Sequence, residues 1–214
     1  MLELNLGPSF RHLPYTIRLY DVTEEMFDEI VDEDTKAEYI DGVMIVHSPA
    51  SFRHDDVSGL LRFLMRGFAS SHQLGKVLGP DSLVRLPDSS KYAPDIFFVP
   101  AADVPIPSPK VFDGVPALIV EVLSPSNHDE DLEIKRPRYR AAGVAEIWFV
   151  DPDSGETIVD RKRGKRHVTK TTKRGKVTSS VLPGFWFETA WLAQEPLPNE
   201  MSCLRQILDD GTDE

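Results

Sequence analysis

Two runs of sequence decide the fold of this 214-residue chain: Leu118-Ile119-Val120-Glu121-Val122-Leu123 and Glu146-Ile147-Trp148-Phe149-Val150. The first run is apolar on both alternating faces, which is typical of a strand that is covered on both sides of a sheet. Residues 129–142 between the runs have a helical pattern that ends at Gly143, and Pro137 predicts a kink or a break within it. A strand, a helix and a strand in this order predict a right-handed parallel crossover, and hence an α/β protein.

Three upstream segments extend this pattern. Residues 92–99 form another run that is apolar on both faces. Residues 37–46 carry Asp41-Gly42 between two β-rich stretches, which predicts an N-terminal β-hairpin. Residues 52–72 place apolar side chains at i, i+3, i+4 and i+7, which predicts an amphipathic helix with His54 on its apolar face.

Composition bounds the class of protein. The chain is 41% hydrophobic and 28% charged, values that exclude a disulfide mini-protein and a disordered tail. Cys203 is the single cysteine, which excludes an internal disulfide and a thiolate zinc site and predicts a cytoplasmic protein. No run approaches the roughly 18 apolar residues of a membrane span, so no membrane role is expected. We expect one domain over residues 1–192 and a peripheral acidic tail over residues 193–214.

Two acidic residues lie in runs that otherwise look buried. Asp95 follows Pro94 at the start of an apolar stretch, and Glu121 lies in the middle of another. A buried, unpaired carboxylate costs several kcal/mol, so each needs a cation or a proton. Two carboxylates from neighbouring strands, together with the Val122 carbonyl, make an oxygen ligand set that suits Mg²⁺ or Mn²⁺. Lys135, 14 residues after Glu121, is a candidate to position or deprotonate the attacking water.

Each of these residues also has a structural interpretation. Asp95 can be a turn or helix-cap acid after Pro94, and Glu121 can pair with a buried arginine or lysine. Lys135 has arginines close to it in the same helix and can be a solvated surface residue. Tyr139, one turn after Lys135, is a pocket candidate that can equally belong to the core.

Several short motifs, in this order, resemble the Uma-type restriction-endonuclease family of the PD-(D/E)XK superfamily. The resemblance covers roughly residues 20–190 and rests on these stretches: Glu38-Tyr39-Ile40-Asp41-Gly42, Ser48-Pro49 with His54, Pro94-Asp95, Glu121-Val122-Leu123-Ser124-Pro125-Ser126, Lys135 with Tyr139, Ala142-Gly143-Val144, Glu146 to Asp151, and Leu182-Pro183-Gly184-Phe185. The resemblance implies a mixed central β-sheet flanked by helices.

The same resemblance implies roles for individual residues. Asp95, Glu121 and Lys135 would be catalytic, and Glu38 and His54 would lie near the metal. The superfamily usually has its lysine two residues after the second acid, where this chain has Leu123. In this family the lysine is thought to have moved to the next helix, which implies Lys135.

Charge is strongly segregated along the chain. The formal net charge is −11, from 24 basic and 35 acidic residues, which at first disfavours a polyanionic partner. Residues 161–176 nevertheless hold nine of the basic residues and no acidic residue. We expect this segment to form an exposed hairpin that contacts DNA phosphates beside the site, through Arg161, Lys162, Arg163, Lys165 and Arg166. A solvated hairpin without a partner is the alternative.

Two functional hypotheses remain from the sequence. The first is a Mg²⁺-dependent or Mn²⁺-dependent endonuclease that hydrolyses phosphodiester bonds in DNA, and a homodimer is expected because cutting both strands of a duplex needs two sites. The second is a nuclease-fold module that binds or regulates with little or no turnover. Intact Asp95, Glu121 and Lys135 favour the first hypothesis. The negative net charge favours the second.

Overall fold

A computed structural model describes residues 15–31, 37–107, 110–124, 128 and 130–210. Four sequence-based features fall partly outside these residues: the expected domain over residues 1–192, the expected tail over residues 193–214, the Pro125-Ser126 part of the family motif and the start of the predicted helix at residue 129. None of the helices that the structure describes combines the length and the apolar character needed to cross a membrane.

The described chain alternates strands and helices. The strands are β1 Thr16–Leu19, β2 Ala37–Ile40, β3 Val43–His47, β4 Gly75–Leu78, β5 Leu83–Arg85, β6 Lys91–Tyr92, β7 Ile96–Pro100, β8 Val111–Asp113, β9 Leu118–Val122, β10 Glu146–Val150, β11 Thr157–Arg163, β12 Arg166–Thr172, β13 Lys176–Thr178 and β14 Trp186–Glu188. The helices are α1 Glu24–Ile30, α2 Phe52–Ser71, α3 Arg136–Ala142, α4 Thr189–Leu192 and α5 Glu200–Asp210, with a 3-10 turn at Ala101–Asp103 and a π-helical segment at Glu130–Lys135.

Strands β1–β12 form two six-stranded mixed sheets, and β13 and β14 form a separate two-stranded sheet. One has the order β1-β3-β2-β6-β5-β8 and the other the order β12-β11-β10-β9-β7-β4. Within the second sheet β9 and β10 are parallel, as the strand-helix-strand pattern predicts, and their neighbours are antiparallel. The expected α/β architecture with flanking helices is confirmed, although the structure has two mixed six-stranded sheets where one central sheet was expected.

The predicted N-terminal hairpin is present as β2 and β3. Asp41 and Gly42 form its turn with φ of +50° and +79°. Positive φ at both central residues gives a turn whose twist matches that of the strands it joins. This hairpin carries Glu38 towards the second sheet.

Helix α2 covers one face of the second sheet. Its apolar stripe, which includes Val57, Leu61 and Phe68, is buried against Val120 and Trp148 of the central strands. The opposite face carries Phe149 and is covered by α3, whose Tyr139 is fully buried. This layering buries both faces of β9, which explains why its sequence shows no polar alternation.

The helical stretch before β10 is divided in two, as Pro137 predicts. A π-helical segment runs from Glu130 to Lys135, and α3 starts at Arg136. Pro137 therefore lies in the first turn of α3, where its missing N–H leaves no gap in the helical hydrogen bonds. The break places Lys135 at the junction of the two segments.

The C-terminal segment differs from the expected peripheral tail. Residues 200–210 form α5, which packs Cys203, Leu204 and Ile207 into the same core as α2. These side chains fall at i, i+1 and i+4, so one helix face is apolar although the segment is acidic overall.

Candidate active site

Asp95 and Glu121 lie next to each other on adjacent antiparallel strands. Ile96 pairs with Val120, so Asp95 and Glu121 are the neighbours of that pair at the same end of β7 and β9. Asp95 is 8% exposed and Glu121 is 3% exposed. The Asp95 carboxylate is fixed there by two groups.

The first of these groups is the main chain of the neighbouring strand. The Val122 N–H donates a hydrogen bond of 2.8 Å to Oδ2 of Asp95. The second is His54, in the first turn of α2, whose Nε2 lies 3.2 Å from the same oxygen. Asp95 is therefore a positioned carboxylate immediately before a strand and is not a helix cap.

Lys135 lies inside a ring of carboxylates. It is 4% exposed, and its Nζ lies 3.0 Å from Glu38 Oε1, 3.2 Å from Asp131 Oδ1 and 3.4 Å from Glu121 Oε1. The interpretation of Lys135 as a solvated surface residue is therefore wrong. Three acidic neighbours outweigh the effect of burial and hold the pKa of Lys135 well above its ordinary value.

Glu38 links the hairpin to this lysine. Its Oε1 accepts a hydrogen bond of 3.0 Å from the Ala93 N–H, and its Oε2 lies 3.0 Å from Nε2 of His47. Burial opposes ionisation of Glu38, but Lys135 and His47 outweigh it and hold the pKa of the carboxyl well below its usual range. Glu38 and Lys135 thus form a stable charged pair.

Glu121 and Asp131 are in the opposite electrostatic situation. Burial raises the pKa of Glu121 to about 8, because Lys135 only partly offsets it and Asp131, Asp95 and Glu38 add repulsion. Burial likewise raises the pKa of Asp131 to about 6. The hydroxyl of Tyr139 donates a hydrogen bond of 2.6 Å to Glu121 Oε1, and burial beside that acid raises the pKa of Tyr139.

Three buried carboxylates, those of Glu38, Glu121 and Asp131, therefore contact one buried ammonium group, and Asp95 lies beside Glu121. Burial is the main cause of the raised pKa values of Glu121 and Asp131, and repulsion from the neighbouring acids adds to it; a divalent cation would favour the ionised form of both groups. Among the described residues no three His, Cys, Asp or Glu side chains form a group suited to a metal ion. The expected ligand set has two such side chains and one main-chain carbonyl, Val122, and its all-oxygen chemistry fits Mg²⁺ or Mn²⁺.

Two residues of this cluster were not singled out from the sequence. Asp131 precedes Lys135 by one helical turn, so its i, i+4 spacing was the available signal. His47 lies two residues beyond the cross-strand partner of Glu38, Ile45, and therefore on the same face of the hairpin. The first signal is common on helix surfaces, and the second depends on the strand register.

The basic segment forms the expected hairpin, from β11 and β12. Its tip, however, does not lie beside the carboxylates, because β11 runs antiparallel to β10 and carries residue 163 to the opposite end of the sheet. Ile158 is level with Glu121 across two strand spacings, and Arg163 lies five residues further on. These steps amount to about 10 Å across and about 17 Å along the strands, or about 20 Å in all.

Comparisons with known proteins agree with this architecture. Residues 24–193 match the family model Uma2, described as "Putative restriction endonuclease". A solved structure of a "putative nuclease belonging to DUF820" from Anabaena variabilis is similar with a TM-score of 0.69 at 15% sequence identity, covering 79% of this chain and 96% of that chain. A search of curated proteins found no match. At this identity the structural similarity establishes a shared fold.

Proposed function

The chain belongs to the Uma2 family, and on this premise we propose that it is a metal-dependent endonuclease that hydrolyses phosphodiester bonds in DNA. The observation that carries the proposal is the buried cluster in which Asp95 adjoins Glu121 and Glu121 contacts the ammonium group of Lys135. A structural ion pair would match one acid to one base. The excess of buried carboxylates supports a site for a cation that binds oxygen.

In this proposal Asp95, Glu121 and the Val122 carbonyl hold Mg²⁺ or Mn²⁺. The bound cation would supply Lewis acidity and would lower the pKa of its bound water. His54 and the Val122 N–H fix one oxygen of Asp95, and Tyr139 fixes one oxygen of Glu121. These contacts hold the two carboxylates in place before any cation binds, which lowers the cost of organising the site.

Lys135 acts in this proposal as a positive charge beside the scissile phosphate. Because its pKa is raised, the ammonium keeps its proton at neutral pH and is a poor general base. It can donate hydrogen bonds to the attacking water and stabilise charge that develops on the phosphate in the transition state. Glu38 keeps the ammonium in position through the 3.0 Å contact.

We infer that the basic hairpin supplies most of the attraction for DNA. Arg161, Lys162, Arg163, Lys165 and Arg166 lie in a segment without acidic residues, whereas the rest of the chain is acidic. Contacts from lysine and arginine to phosphates release counterions and provide affinity without sequence preference. Cleavage of both strands would require two such sites, which supports a homodimer. The single cysteine is consistent with action in the cytoplasm.

The proposal is tested with supercoiled plasmid incubated with Mg²⁺ or Mn²⁺. The wild-type protein should nick the plasmid, and the Asp95→Asn and Glu121→Gln variants should lose at least about 100-fold in rate. Glu133→Gln is the matched control, because it removes one carboxylate from an exposed position in the π-helical segment. Equal rates in all four proteins, or no dependence on the cation, would contradict the proposal.

A nuclease-fold module without turnover is the second candidate. It is favoured by one observation: Lys135 already contacts three carboxylates, which partly neutralises the cluster without a cation. This candidate predicts that the protein binds DNA but leaves the plasmid intact with either cation.

A further inference from the structure

The nine cations of residues 161–176 differ in their contacts. Four of these side chains are tied to the protein: Arg161 to the Thr178 carbonyl, Lys162 to the Gly143 carbonyl, Lys173 to Glu156 and Lys176 to Asp210. By contrast, the side chains of Arg163, Lys165 and Arg166 at the tip are exposed and make no hydrogen bond or ion pair with any described residue, and the same holds for Lys170 and Arg174 away from the tip. Their charges serve no internal contact.

The tip is held firmly relative to the candidate active site. Strands β11 and β12 pair over seven residues, and β11 pairs with β10 over five. At the base of the tip the Lys162 N–H donates to the Ala145 carbonyl at 2.8 Å, and His167 Nε2 lies 2.8 Å from the Val144 carbonyl. The separation of about 20 Å from Glu121 is therefore a fixed feature of the sheet.

This separation excludes a role for the tip at the scissile phosphate. A lysine or arginine side chain spans roughly 6 Å, so no rotamer brings these cations to Glu121. Along one strand of duplex DNA, however, phosphates recur at about 3.4 Å of axial rise. A distance of about 20 Å corresponds to about six base pairs.

Resting on the proposed function, we infer that Arg163, Lys165 and Arg166 bind backbone phosphates of the same DNA duplex about six base pairs from the phosphate at the active site. The partner is duplex DNA, because a stiff helix keeps two contacts about 20 Å apart in register. The hairpin therefore favours binding to sites flanked by at least this length of duplex, and its phosphate contacts give no preference for base sequence.

The test compares two lengths of duplex. Hairpin-capped duplexes of about 5 and about 20 base pairs are titrated by fluorescence anisotropy, with Ca²⁺ as the cation. The tip variant Arg163→Gln, Lys165→Gln, Arg166→Gln is compared with a control, Lys170→Gln, Lys173→Gln, Arg174→Gln. The control also removes three charges, but from residues away from the tip, towards the end of the sheet at which Glu121 lies.

For the long duplex, the loss of three phosphate contacts should reduce the slope of log affinity against log salt concentration by about 2.7 units. The ratio of wild-type affinity to tip-variant affinity should therefore fall by about 40-fold between about 50 and 200 mM salt. The tip variant should bind the short duplex within about twofold of the wild type, and the control should keep the preference for the long duplex. Equal weakening of both duplexes by the tip variant, or loss of the length preference in the control, would overturn the inference. If wild-type protein bound neither duplex, the proposed function itself would fail.

Discussion

Replacing Lys135 with methionine removes the only ammonium group among the described residues that contacts Glu38, Glu121 and Asp131 together. Methionine keeps an unbranched side chain of similar reach and good helix propensity, so the change isolates the charge. Removing one partner of a buried ion pair costs about 3–5 kcal/mol, a large share of the 5–15 kcal/mol that stabilises a typical domain.

The loss of stability should depend on pH. Glu121 and Asp131, with pKa values of about 8 and about 6, can take up protons and so relieve the uncompensated charge. Without Lys135 both pKa values rise further, because the neighbouring positive charge is gone. The destabilisation should therefore be greatest above about pH 8 and should decrease as the pH falls through 6.

Urea unfolding followed by tryptophan fluorescence measures this effect. With a slope of about 2 kcal/mol per molar urea, the midpoint of Lys135→Met should fall by about 1.5–2.5 M at pH 8 and by clearly less at pH 6. Lys170→Met, at an exposed position whose side chain makes no hydrogen bond or ion pair with a described residue, is the control and should keep the wild-type midpoint. A Lys135→Met midpoint equal to that of the wild type at both pH values would refute the placement of Lys135 in the acidic cluster.

Three further predictions concern the same region. Lys135→Arg keeps the positive charge and should retain plasmid nicking within about tenfold, whereas Lys135→Met should lose at least about 100-fold; loss of nicking in both variants, in single-turnover assays, would favour a general base. Asp160→Asn should lower the free energy of unfolding, measured with urea, by about 3 kcal/mol, because it weakens the hydrogen bonds with two arginines of α3. These hydrogen bonds outweigh burial and lower the pKa of Asp160, so the difference in stability is present above about pH 4 and should shrink in more acidic solution. Tyr139→Phe removes a donor to Glu121, so the pKa of Glu121 should rise and the cleavage-pH profile should move to higher pH; an unshifted profile would show that Glu121 does not control it.

Much of the fold follows from local patterns in the sequence. The parallel pairing of β9 with β10 was predicted because two apolar runs flank a helical stretch that ends at Gly143. The hairpin was predicted because Asp41 and Gly42 tolerate positive φ. Each apolar run, the helical stretch and the Asp41-Gly42 pair are local patterns, so no tertiary information is needed to recognise them.

The two acids were predictable for a related reason. Asp95 and Glu121 interrupt apolar runs, and the cost of burying a charge makes such positions informative. The rest of the cluster depends on tertiary geometry. Asp131 and His47 look like ordinary surface residues in the sequence, and only the crossover and the hairpin register bring them to Lys135 and Glu38.

The position of the basic hairpin shows the same limit. Its nine cations are evident from composition, but composition carries no information on strand direction. Only the antiparallel pairing of β11 with β10 places the tip away from Glu121. Helix α5 is a similar case, because its acidic composition hides the apolar face formed by Cys203, Leu204 and Ile207.

Titration of Mn²⁺ into the protein by calorimetry tests the central claim most directly, because it asks whether Asp95 and Glu121 together hold a divalent cation. We predict one binding event per chain for the wild type and for Glu133→Gln, with loss of at least about tenfold in affinity in Asp95→Asn and in Glu121→Gln. Protons should be released on binding near pH 7, because Glu121, with a pKa of about 8, must ionise. Equal Mn²⁺ affinity in all four proteins would contradict the account.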